Sequence, residues 1–130
     1  MEALIFDTSF LIDFQRERKR GRGRAHQFLE SNSEAQAYLP MTAYGEYAEG
    51  FGSLEDPAFV SIVESFEMIE IDRPVAVAYA RVTRSLRQRG QMIGANDLWI
   101  AATAIHRDWP LVTGNIEHFS RVPGIRLASY

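Results

Sequence analysis

Two periodicities organise the apolar positions of this chain. Ala3 to Phe6 is a short apolar run that stops at Asp7-Thr8-Ser9, the pattern of a buried strand ending at a helix cap. Phe10, Leu11 and Phe14 then recur at helical spacing. That helix is expected to fail near Gly21 to Gly23 and to resume around Ala25 to Glu30, because glycine costs conformational entropy in a helix interior. Gln36 to Leu39 predicts a second strand closed by Pro40, with Thr42 as the cap of a helix carrying Glu46 on its second turn. Asp56-Pro57 is a helix start, an N-cap followed by proline at the first helical position, and Phe59, Ile62, Val63 and Phe66 supply the apolar face. Met68 to Ile71 predicts a third strand.

From Val75 to Arg89, Val75, Ala78, Tyr79, Val82 and Leu86 follow helical spacing, while Arg81, Arg84 and Arg87 fall on the opposite side. Asn96-Asp97 opens another helix, Leu98 to His106, apolar almost all round and therefore expected in the centre of the fold. Leu111 to Thr113 and Ile125 to Leu127 complete the strands. Strands alternating with helices predict an α/β domain with a central, mainly parallel sheet of about four to five strands flanked by helices. No linker or repeat divides the chain, so residues 1–130 are expected to form one domain.

Cysteine is absent, which excludes a disulfide framework and any thiolate metal site, and leaves oxygen or imidazole as metal donors. The start Met1-Glu2-Ala3-Leu4 lacks a basic region leading into a long apolar stretch, and no apolar run reaches membrane-spanning length. A cytoplasmic protein without a membrane partner is expected. The net charge of −3 conceals two basic stretches, Arg16, Arg18, Lys19, Arg20, Arg22 and Arg24, and then Arg81, Arg84 and Arg87. Each alone reads as a solvated face; two such stretches in an acidic chain are more suggestive of contact with nucleic-acid phosphates.

Open parallel sheets bind ligands beyond the carboxyl ends of their strands. Asp7 stands at such an end, Glu46 follows the second strand, and Asp97 begins the buried helix, so three acids distant in sequence can meet at one edge. Each has a plainer role as a cap or surface charge. Asp97 fits that role least, because Leu98, Trp99 and Ile100 follow it and an isolated carboxylate in apolar surroundings is costly to ionise. Hard carboxylate oxygens suit magnesium or manganese, which support phosphoryl transfer without a protein nucleophile. Asn115, after the Leu111 to Thr113 strand, is either a fourth polar group of this edge or a turn residue, and Glu117 is a nearby acid that faces solvent on a different geometry. His26, His106 and His118 lack a metal-ligand spacing and are expected at the surface or at helix ends. Trp99 and Trp109 read as core or interface residues.

Asp7-Thr8-Ser9-Phe10-Leu11-Ile12-Asp13, Gly94-Ala95-Asn96-Asp97-Leu98-Trp99-Ile100-Ala101-Ala102 and Val112-Thr113-Gly114-Asn115 with Phe119 resemble the PIN-domain family, most of all its VapC-type toxins. The likeness extends over nearly the whole chain, including the ending Val122-Pro123-Gly124-Ile125-Arg126-Leu127. It implies a PIN-like fold and a magnesium- or manganese-dependent endoribonuclease directed at single-stranded RNA, paired with a VapB-like antitoxin that blocks the active site; a homodimer is the expected assembly. Carried over by motif, Asp7, Glu46 and Asp97 match the three usual acids, Asn115 stands where many relatives have a fourth aspartate, and Thr8 and Thr113 are supporting hydroxyls. A haloacid-type phosphatase would need an acid where Ser9 stands, and a receiver domain a suitably placed lysine, whereas Lys19 is the only lysine. The remaining alternative is a catalytically silent PIN-like module that binds RNA or protein.

Overall fold

The computed structural model describes residues 2–130, so Met1, the first residue of the predicted leaderless start, lies outside the described residues. Strand β1 (Ala3–Phe6) is followed by α1 (Thr8–Arg20) and α2 (Arg24–Ser31), then β2 (Gln36–Pro40), α3 (Met41–Glu49), α4 (Pro57–Val63) and β3 (Glu67–Ile69). Helices α5 (Arg73–Gln88) and α6 (Ala95–Arg107) precede β4 (Leu111–Val112), α7 (Ile116–Phe119) and β5 (Leu127–Ala128). All five strands are parallel, in the order β3-β2-β1-β4-β5. The chain therefore builds outward from β1 in one direction and then returns to build on its other side. The reversal lies between β1 and β4, and the crevice at the carboxyl ends of two such strands is where sheets of this kind bind ligands.

The strands are short and apolar because they are covered. Leu4, Ile5, Phe6, Leu111 and Val112 are buried, and Phe6 packs its ring against Phe10 of α1 at 4.7 Å and Phe66 at 5.3 Å. Helix α5 buries Val75, Ala78, Val82 and Leu86, and leaves Arg81, Arg84 and Arg87 exposed, as the helical spacing predicts. A small cluster of Val75, Ala78 and Ala102 joins α5 to α6, with the Tyr79 and Trp99 rings stacked at 3.9 Å beside it. Among the described residues no helix is long and apolar enough to cross a membrane.

Several element boundaries differ from the sequence expectation. Helix α3 starts at Met41 with Pro40 as its N-cap, so Thr42 lies inside the first turn and its buried hydroxyl has no hydrogen-bond partner. Pro40 is still paired in the sheet, opposite Ile69, and the chain passes from strand to helix without a residue to spare for a side-chain cap. Strand β3 is Glu67–Ile69 and not Met68 to Ile71, because β2 ends at Pro40 and offers nothing to pair with Ile71, which is exposed. Strand β5 falls at Leu127–Ala128 and not at Ile125 to Leu127, set by its register with Leu111 and Val112. Helix α5 begins earlier than expected, at Arg73, where the Asp72 carboxylate accepts from Val75 N at 3.1 Å.

Candidate active site

The end of β1 delivers Asp7 to the crevice. Its backbone is extended while α1 begins at the next residue, so its side chain turns back as the N-cap and Oδ1 accepts from Phe10 N at 3.1 Å. The same oxygen accepts from Ser9 Oγ at 2.6 Å, and Oδ2 accepts from Thr113 Oγ1 at 2.6 Å. The Thr113 bond spans the reversal between β1 and β4 and ties residues 106 apart in sequence. Asp7 is 4% exposed. Burial is the largest influence on its carboxyl and raises its pKa above the ordinary 3.8; the Ser9, Thr113 and Phe10 donors oppose this, and the negative charge of Asp97 adds to it.

Glu46 and Asp97 face the same crevice from α3 and α6. Glu46 Oε1 accepts from Thr8 Oγ1 at 2.8 Å, and its Oε2 accepts from Asn96 Nδ2 at 3.1 Å. Helix α6 is capped by the Gly94 backbone, so Asp97 lies within the first turn instead of opening the helix, and it points at the crevice. Its Oδ2 stands 3.0 Å from His118 Nε2. Burial raises the Asp97 pKa, His118 opposes that, and the Glu46 charge reinforces it. Asp97 thus feels Glu46, and Asp7 feels Asp97, so Asp97 stands within electrostatic reach of both other acids.

The Thr8 hydroxyl donates to Glu46 and the Thr113 hydroxyl to Asp7. Asn115 contributes its backbone: its N–H donates to Thr113 Oγ1 at 2.9 Å, while its side chain is exposed and caps nothing at α7. The geometry thus favours its turn role. Glu117 is exposed to solvent. His118, expected at a surface or a helix end, lies in the last turn of α7 and from there also engages Asp97. Two further residues of the site are not singled out by the sequence pattern. Ser9 bonds Asp7 and accepts from Gly114 N at 3.1 Å, and Asn96 holds Glu46. Adjacency to Asp7 and Asp97 is the available signal for Ser9 and Asn96; His118 has none, because it approaches Asp97 only through the path of β4 and α7.

The arginines divide. Arg16, Arg20 and Arg24 line a cavity beside Gly114. Arg18 reaches Ser61 and lies over the Phe14 ring, Arg22 pairs with Glu30, and Lys19 is exposed. Arg81 and Arg84 line a separate cavity on α5 with Val77 and Ala80.

Among the described residues, no three His, Asp or Glu side chains stand close enough together to hold a metal ion in the present arrangement. The oxygens of Asp7 and Glu46 are engaged by hydroxyl and amide donors. The chemistry of the donor set nevertheless fits a hard divalent cation: the Asp97 charge raises the proton affinity of Asp7, the Glu46 charge raises that of Asp97, and among the described residues no lysine or arginine pairs with any of the three. Among the described residues, the imidazole of His118 is the basic side chain in contact with one of them, Asp97.

The donor role of Thr113 makes a direct prediction. Thr113→Val keeps the shape but removes a donor that favours ionised Asp7, so the Asp7 pKa should climb further, with a loss of about 1.5–3 kcal/mol at neutral pH. Carboxyl resonances followed through a pH titration would measure this. A pKa that stays put or falls would mean Thr113 does not donate to Asp7.

Comparison with known proteins agrees with this geometry. A family model described as PIN domain matches residues 4–125. Ribonuclease VapC1 of Methanocaldococcus jannaschii is 30% identical over 128 residues, covering 98% of this chain and 86% of that protein. Ribonuclease VapC of Rickettsia bellii is 30% identical over 132 residues, covering 95% and 93%. Among solved structures, a chain of VapBC2 from Rickettsia felis, bound to a DNA fragment from their promoter, superposes with a TM-score of 0.86 at 23% identity over 98% of both chains.

Proposed function

The chain belongs to the PIN-domain family, and from that premise we propose that it is a magnesium- or manganese-dependent endoribonuclease, the toxin of a two-protein toxin-antitoxin pair. The observation that carries this reading is the buried Asp7 at the β1–β4 reversal, within electrostatic reach of Asp97, which in turn feels Glu46, with no arginine or lysine among the described residues paired to any of the three. Two relatives that share nearly the full chain are named ribonucleases, which supports RNA as substrate. The likeness to a chain of VapBC2 supports a VapB-like antitoxin as partner.

In this reading Asp7, Glu46 and Asp97 hold the cation. When bound, a divalent cation polarises the phosphate, offsets its developing charge and makes a water more acidic. Hydrolysis joins the water oxygen to phosphorus and breaks the bond from phosphorus to the leaving ribose oxygen, which ends protonated. The chain's own residues prepare that step by position. Ser9, Phe10 N and Thr113 fix the Asp7 carboxylate, and Thr8 with Asn96 fixes Glu46, so the ligands are oriented before substrate arrives. Neutral Asn115 adds no charge.

The test is incubation of the purified chain, freed of partner protein, with single-stranded RNA and magnesium or manganese, followed by sequencing of the RNA ends. New internal ends are expected. RNA that binds but stays intact would mark the chain as a silent binding module instead.

A further inference from the structure

A groove of about 480 Å³ is lined by Arg16 and Arg20 of α1, Arg24 of α2, Gly114 and Tyr130. Its composition follows from the fold. Arg16 and Arg20 are one helical turn apart and share a face of α1. Gly21, at φ 111°, reverses the chain there, a conformation that disfavours any side chain, and α2 then starts at Arg24 on the same groove. The groove also contains two acids, and both are already committed. Glu17 accepts from the N–H groups of Gly23, Ala25 and His26 at 2.9 Å each, serving as the cap of α2. These bonds and the His26 ring hold its pKa down to about 2 against the effect of burial. Asp13 accepts from the Tyr130 hydroxyl at 2.6 Å. Arg16 stands 3.8 Å from Asp13, whereas Arg20 and Arg24 have no carboxylate partner among the described residues.

Gly114, in the lining of this groove, is linked to Asp7 through Ser9. Gly114 N donates to Ser9 Oγ, whose hydroxyl donates to Asp7. A Cβ at Gly114 would lie 2.8 Å from the Tyr130 hydroxyl, so the floor admits only glycine without displacing that ring. A strand engaged at Asp7 therefore has an arginine-lined groove two hydrogen bonds away, on the far side of Ser9 and Gly114. Cationic side chains in a row, planar and multiply hydrogen-bonding, match successive phosphates better than they match a base edge.

Resting on the ribonuclease reading above, we propose that Arg16, Arg20 and Arg24 form a subsite for the backbone phosphates of the RNA strand flanking the scissile bond, and that the Arg81-Arg84 face of α5 takes no part in it. The arrangement confers affinity and placement of the strand without sequence preference, as phosphate contacts do.

The experiment measures binding of a fluorescein-labelled single-stranded RNA by anisotropy, in chelator, across a series of salt concentrations. The starting protein is Asp7→Asn, so that no cleavage interferes. Adding Arg16→Gln, Arg20→Gln and Arg24→Gln together should make the slope of log affinity against log salt shallower by about 2, since each phosphate neutralised on a single strand accounts for about 0.7 of that slope, and should weaken binding roughly tenfold or more at low salt. The corresponding triple lysine variant should keep most of the slope, and Arg81→Gln with Arg84→Gln should change affinity less than about twofold. All of these side chains are exposed, and equal melting temperatures would establish that the variants are folded. An unchanged slope in the glutamine triple variant overturns the subsite. So does an equal loss in the α5 variant, which would indicate general attraction only, and so does loss of antitoxin capture with RNA binding intact, which would assign the groove to a protein. If the wild type makes internal RNA ends while the slope does not respond, the subsite alone fails; if it makes none, the ribonuclease reading fails regardless of the slope.

Discussion

Asp7→Asn is expected to reduce RNA cleavage by about 10³-fold, the equivalent of roughly 4 kcal/mol of transition-state stabilisation, while leaving the fold intact. The substitution is suited to the site. Asn can present its oxygen where Oδ1 accepts from Ser9 and Phe10 N, and its amide where Oδ2 meets the Thr113 hydroxyl, with that hydroxyl turned to accept. What disappears is one negative charge at the reversal between β1 and β4. Single-turnover rates on a defined RNA, with a thermal melt of the same preparation, would separate loss of charge from loss of fold. Full activity in a folded Asp7→Asn protein would place the chemistry elsewhere.

Metal binding should have the second large effect, seen in stability without any RNA. The pKa values of Asp7 and Asp97 are both raised in the folded chain. Below the ordinary value of 3.8 both are protonated, folded or unfolded, and carry no penalty. As pH rises through the raised folded values, this stabilisation of the folded chain relative to neutral pH is lost, so the metal-free protein should be less stable at pH 7 than this pair alone would allow near pH 4. A cation reverses the sign by favouring the ionised carboxylates. At about a hundredfold excess over its dissociation constant, linkage gives roughly 2.7 kcal/mol for one site, or several degrees in melting temperature. Asp97→Asn should melt as high as the metal-free wild type or higher, and respond little to added magnesium. A wild-type melting curve unmoved by magnesium and manganese would count against the cation site.

The residues legible from sequence are those whose role is local. Asp56-Pro57 announces its helix because an N-cap carboxylate and a proline act within a few residues, and the carboxylate does accept from Ala58 N. Asp7 is legible because an apolar run ends at it. The apolar stripe of α5 identifies its buried face for the same reason, since helical spacing is written in the chain itself. Features set by long-range pairing are not legible. The register opposite Leu111 and Val112 decides where β5 lies, and nothing in Ile125 to Ala128 distinguishes the paired residues from their neighbours. His118 is isolated from the other histidines in sequence, and it reaches Asp97 only when α7 is positioned by the sheet. The basic stretch from Arg16 to Arg24 reads as one patch, yet helical spacing puts Arg16 and Arg20 on the groove and Arg18 on another face of α1, and after the turn at Gly21 Arg24 joins the groove while Arg22 pairs with Glu30.

The most direct measurement of the central claim is the cleavage rate of one RNA by one preparation, first with magnesium or manganese, then in excess chelator, then with the metal restored. The account predicts loss of cleavage in chelator and recovery on restoration for the wild type, with Asp7→Asn and Asp97→Asn inactive throughout. Cleavage that continues undiminished in excess chelator would contradict it.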